Sequence, residues 1–132
     1  MYTRSSTLQL TSDDPRKLSE VQEAFSQVFP YLKIEFFKNG SFRQERYRNH
    51  LLLDKELLIR EAWKPKQPEP VFEISAYMTV AELEKKFQET YGLSVQVFRK
   101  SGNIWLETSM TENWTLGQQN EHGREITAPI AS

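Results

Sequence analysis

Residues 79–100 read TVAELEKKFQETYGLSVQVFRK, and two structural periods meet in them. Val80, Leu83, Phe87 and Tyr91 recur at helical spacing and make one apolar stripe. Thr79 and Glu82 stand as a capping box: each side chain can satisfy a backbone N–H that the first turn leaves free, and Met78 can staple onto Leu83. Gly92 follows the stripe where a left-handed C-terminal cap is wanted. From Leu93 the period shortens, with Leu93, Val95 and Val97 alternating against Ser94 and Gln96. The stretch reads as a helix that runs into a strand.

The same order stands upstream. In DDPRKLSEVQEAFSQVFP (residues 13–30), Leu18, Val21, Phe25, Val28 and Phe29 form a helical stripe. Asp14 is the expected N-cap, Pro15 suits the first helical position and Pro30 stops the run. Leu32, Ile34 and Phe36 then alternate with Lys33 and Glu35 as a strand. Short strands, TLQL and VFEIS, precede both helices. Leu18, Val21, Phe25 and Phe29 overlay Val80, Leu83, Phe87 and Tyr91. After a one-residue slip, the strand at Leu32 overlays the one at Leu93. A further echo pairs DKELL with NWTLG through Leu57 and Leu116.

This pattern predicts an internal duplication of a β-α-β unit of about sixty residues. The first repeat is placed at residues 6–63 and the second at 71–123, within a single domain spanning 1–132. The fold class expected is α+β, a ferredoxin-like β-α-β-β-α-β sandwich with an extra hairpin strand and a C-terminal helix. An alternative gives the second half a β-grasp-like order, which requires ELLIREAW (residues 56–63) to be a strand. Pro65, Pro68 and Pro70 mark a stiff, extended connection between the halves.

Ser101-Gly102 is a hairpin signal between two alternating runs. A turn there sets Lys100 opposite Asn103, Arg99 opposite Ile104, Phe98 opposite Trp105 and Val97 opposite Leu106. Phe98 and Trp105 then share a face with Gln96 and Glu107, while Val95, Val97, Ile104 and Leu106 take the core-like face. In the first copy Asn39-Gly40 would set Phe37 opposite Phe42. The candidate binding residues are therefore Phe98, Arg99, Lys100, Trp105 and Trp114. A competing expectation is that residues 111–123 fold back and lay Trp114 and Leu116 over the aromatic pair.

Tyr91-Gly92-Leu93, continuing through SVQVFRKSGNIWLETSMTENWTLGQQN, with FPYLKIEFF earlier, resembles a family of small bacterial α+β proteins of unknown function. The resemblance covers most of the chain outside residues 39–70. It implies the duplicated architecture and a bacterial, cytoplasmic setting, and it brings no activity, cofactor or catalytic residue.

Composition narrows the functional classes. The 132 residues include no cysteine, which excludes disulfides, thiolate metal sites and a Cys nucleophile. Lys and Arg number 17 against 18 Asp and Glu, and neither half has the excess of a dedicated nucleic-acid or membrane binder. The start, MYTRSSTLQL, has no apolar signal region and no run approaches a membrane span, so a cytoplasmic location is expected. His50 and His122 lack carboxylates at ligand spacing, and no nucleophile elbow, phosphate-binding glycine loop or zinc motif is present. No metal, cofactor or catalytic residue is assigned.

The leading function is a non-enzymatic protein-interaction module, with an unknown protein partner or a second copy of itself. The first alternative is a nucleic-acid-binding module. It would use Arg43, Arg46 and Arg48, interleaved with Phe42 and Tyr47, together with Arg99 and Lys100. No stretch fits the RNP1 pattern. The second alternative is an enzyme with a pocket between the repeats.

Overall fold

Thr79 begins its helix as its side chain demands. The Thr79 hydroxyl accepts from the Glu82 N–H at 3.1 Å, and the Glu82 carboxylate accepts from the Thr79 N–H at 2.8 Å. The helix runs to Tyr91 and ends on Gly92, whose φ of 68° is the left-handed conformation that glycine adopts without a Cβ clash. A computed structural model describes this helix within residues 7–11, 14–37, 54–62 and 71–127.

In chain order the elements are β1 (Thr7–Thr11), α1 (Leu18–Val28), β2 (Leu32–Phe37), α2 (Ile59–Ala62), β3 (Val71–Ser75), α3 (Val80–Tyr91), β4 (Ser94–Ser101), β5 (Ile104–Glu107) and α4 (Leu116–Thr127). A 3-10 turn at Ser109–Thr111 links β5 to α4. The architecture is mixed α+β. Asp14 does not cap α1: its carboxylate accepts from the backbone N–H groups of Arg16 and Thr11 and so closes the turn after β1. The N-cap is Lys17, whose N–H is satisfied by Glu20 at 2.8 Å. Its ammonium has no acceptor to return, so only half of a box forms. Among the described residues ELLIREAW contributes the helical turn α2 and not the strand that the β-grasp alternative requires of it.

Strand pairing departs from a ferredoxin-like sandwich. Among the described residues the strands form two sheets, β1-β3 and β2-β4-β5, instead of one sheet with β2 beside β3. Each strand of the first half pairs antiparallel with its counterpart in the second, Leu8 against Ile74 and Ile34 against Val97. Alternation decides which face of each strand is buried. Leu32, Ile34 and Phe36 enter the same buried cluster as Val95 and Val97, which also takes in Leu8, Leu10, Phe72 and Ile74 from the other sheet. Phe25, Phe87 and Tyr91 fill it from the helices, and Phe29 from the C-cap of α1.

The entries to the two longer helix units are built alike. Leu18 donates to the Leu57 carbonyl, Ser19 to Lys55 and Ile59 to Arg16; Val80 donates to Trp114, Ala81 to Glu112 and Leu116 to Met78. Lys17 bridges to Leu58 as Thr79 bridges to Thr115. Each helix start is thereby clasped by the segment that opens the following helix. Among the described residues no helix is long and apolar enough to cross a membrane.

Candidate interaction surface

The β4–β5 turn is Gly102-Asn103, one residue later than Ser101-Gly102. Gly102 takes φ 66°, and the Thr127 hydroxyl pins the turn by accepting from the Gly102 N–H and donating to the Lys100 carbonyl. The left-handed position decides the register, because glycine occupies it without strain and serine does not. The pairs become Ser101–Ile104, Lys100–Trp105, Arg99–Leu106 and Phe98–Glu107. Shifting the turn by one residue moves each cross-strand partner by two, so the faces survive. Phe98 and Trp105 still share one with Gln96 and Glu107, as diagonal neighbours.

On that face the Lys33 ammonium lies 5.4 Å from the Phe98 ring centre and 5.2 Å from that of Trp105. Lys33 also meets Glu35 at 3.5 Å. Phe37, Gln96 and Phe98 are buried, whereas Trp105, at the outer end, is 37 % exposed. Lys100, the cross-strand neighbour of Trp105, is partly exposed.

Trp114 and Leu116 do not cover this pair; they lie on the opposite face. Leu116 is in the main core with Val95 and Val97, and the Trp114 ring sits 5.8 Å from the Arg99 guanidinium, with His122 edge-on at 5.4 Å. The clasp on α3 is the cause. Leu116 and Gly117 donate to the carbonyls of Met78 and Ala76, which fixes the start of α4 on the core side of the sheet. The five sequence-predicted binding residues thus divide: Phe98, Lys100 and Trp105 on one face, Arg99 and Trp114 on the other.

Arg99 is held from several sides. Its Nη1 donates to Gln119 Oε1 at 2.7 Å, and the buried Gln119 amide donates in turn to the carbonyl and hydroxyl of Thr111. Burial presses the guanidinium pKa downward. Arg99 therefore ties β4 to α4 and the 3-10 turn.

Sequence reasoning placed Ile104 and Leu106 toward the core, yet they are 58 % and 39 % exposed. The position of α4 explains the difference. A Cβ at Gly123 would lie 2.9 Å from Tyr31 Cβ and 3.1 Å from Arg99 Cγ, and Asn120 accepts from the Tyr31 N–H at 2.7 Å. The helix is drawn over β4 and β2, and β5 projects beyond it. Met110, in the 3-10 turn, is also almost fully exposed. The available signal was the unbroken apolar run Ile104-Trp105-Leu106, where a half-buried strand would alternate with polar residues.

Other shifted titrations have local, structural causes. Hydrogen bonds to Thr79 hold the Glu82 carboxyl below the usual range, Arg124 does the same for Glu121, and Glu56 raises Lys17. Burial among Phe72 and Phe87 raises the Tyr91 hydroxyl, helped by the charge of Asp14. Among the described residues, no group of three or more His, Cys, Asp or Glu could hold a metal ion. Arg43, Arg46 and Arg48, the first hairpin at Asn39-Gly40, His50 and the three linker prolines lie outside the described residues. Comparison with protein-family profiles, curated proteins and solved structures finds no match to this chain.

Proposed function

We propose that this chain is a non-enzymatic protein-interaction module, built from two β-α-β repeats and docking its partner along β5. The observation that carries this reading is that Ile104, Trp105 and Leu106 are all exposed on a strand that, among the described residues, is at the edge of its sheet. An apolar edge offers a partner both ladder hydrogen bonds and side-chain contacts. Trp105, flanked by Lys33 and Lys100, is the natural anchor, since Trp is over-represented among residues that dominate binding. The repeated clasps at α1 and α3 support the duplicated origin. The resemblance to small bacterial proteins fits the same picture and adds no chemistry to it.

A photo-crosslinking residue at position 105 tests the reading in cells that make the protein natively. Crosslinks to a protein are expected from position 105 and absent from Tyr77, which is 80 % exposed in the turn between β3 and α3. Equal yields from both positions, or none from 105, would refute the docking role of β5.

A further inference from the structure

Building on that reading, we infer that the partner β5 fits is β5 of a second copy, paired antiparallel about a two-fold axis at Leu106. The backbone supplies the first argument. Ser101 and Ile104 flank the turn and so form a hydrogen-bonded pair, and Arg99–Leu106 is the next. The Thr108 N–H continues the alternation by donating to Val97 at 3.2 Å. The N–H and C=O groups of Trp105 and Glu107 consequently point outward, away from β4. A two-fold axis at Leu106 sets Trp105 against Glu107 of the other copy and Glu107 against its Trp105, which engages all of those outward groups. An axis at Trp105 would instead force Glu107 to pair with Asn103 in the turn.

Side chains and charge make the second argument. Residues 104–107 contain no lysine or proline, the usual guards of an exposed edge. Around the proposed axis Leu106 meets Leu106 on one face. On the other, Glu107 of each copy lands beside the opposing Trp105, over which the Lys33 ammonium already lies at 5.2 Å. The two-fold therefore brings Glu107 to Lys33 twice, acid to base. A four-residue strand makes a small interface, so the dimer belongs to the weak, transient class and is populated only at high concentration.

The absence of cysteine gives a direct test. Opposed residues of a non-hydrogen-bonded antiparallel pair lie roughly 4.5 Å apart at Cα, within disulfide reach. Oxidised at high protein concentration, Leu106→Cys should form a disulfide dimer at least ten times faster than Met110→Cys, a more exposed control. Equal rates, or a faster Trp105→Cys, would overturn the proposal. With native side chains, Glu107→Lys should abolish the concentration-dependent dimer in sedimentation, and Lys33→Glu in the same chain should restore it. A wild-type chain that stays monomeric while position 105 still crosslinks to another protein would overturn self-pairing and leave the interaction reading standing. Thermal melting of each variant confirms the fold, since every changed residue is at least partly exposed.

Discussion

The clasps that start α1 and α3 share a backbone and differ in their side chains. At α3 the segment Thr79–Glu82 forms a reciprocal box, and Thr115 with Gln118 forms another at the start of α4. At α1 a lysine stands where the threonine would be, and a surface ion pair between Lys17 and Glu56, at 2.8 Å, takes the place of the missing cap. Beyond the clasps, α2 covers one turn among the described residues, whereas α4 continues across the sheet to the hairpin. In the first clasp only the carboxylate half of each box remains, Glu20 accepting from the Lys17 N–H and Glu61 from the Leu58 N–H. Repetition of the backbone with half of the polar chemistry implies that buried apolar contacts hold the clasp, and that caps refine it.

This comparison can be broken most sharply at the residue each clasp buries. Ile59 and Leu116 are both 0 % exposed, and truncating either to Ala should cost about 2–5 kcal/mol in denaturant unfolding. A large loss at Leu116 with almost none at Ile59 would reduce the first clasp to a coincidence of hydrogen bonds. Gly123→Ala probes the part of α4 that crosses the sheet. Tyr31 Cβ, anchored to its backbone, cannot retreat far from the new methyl. Overpacking of about 1–3 kcal/mol should outweigh the roughly 1 kcal/mol that Ala gains over Gly in a helix. A stabilised Gly123→Ala would mean that α4 sits farther from the sheet.

The caps should give smaller effects. Thr79→Ala and Thr115→Ala should each cost about 0.5–2 kcal/mol. Lys17→Ala should leave the melting temperature unchanged, because its ion pair is solvent-exposed; a clear loss there would give polar side chains weight in both clasps. A further small effect is in acid. Glu82 titrates lower when folded than when unfolded, so the unfolded chain binds protons first. Its contribution is present above the unfolded carboxylate pKa and fades as pH falls through the lower folded one. Glu82→Gln should flatten that part of the melting-temperature profile.

What could be read from the sequence was local. Thr79, Glu82, Met78 and Gly92 act on groups within a few residues, so α3 was legible from cap to cap. The Thr115–Gln118 box at the start of α4, which the structure shows, has the same sequence form. Pairing partners were not legible, because alternation says which face of β2 is buried but not whether β3 or β4 lies beside it. The hairpin failed by one residue, since Ser-Gly and Gly-Asn both suit a turn and only the left-handed Gly102 separates them. The candidate surface suffered most. Whether Ile104 and Leu106 are covered depends on where α4 stops, and that is set by Tyr31 and Gly123, distant in the chain.

Cross-pairing of the two halves has a consequence for synthesis. Apart from the β4–β5 hairpin, every described ladder joins residues far apart in the chain; Gln9 and Glu73, paired in β1-β3, are 64 positions apart. A nascent chain can form α1 as it emerges, but it can complete neither sheet until β3 and β4 have been translated. During that interval Leu8, Leu10, Leu32, Ile34 and Phe36 have no strand to cover them. Such high contact order slows folding and lengthens the exposure of aggregation-prone edges. The first half of this chain therefore waits on the second, and its most vulnerable moment precedes the synthesis of its own sheet partners.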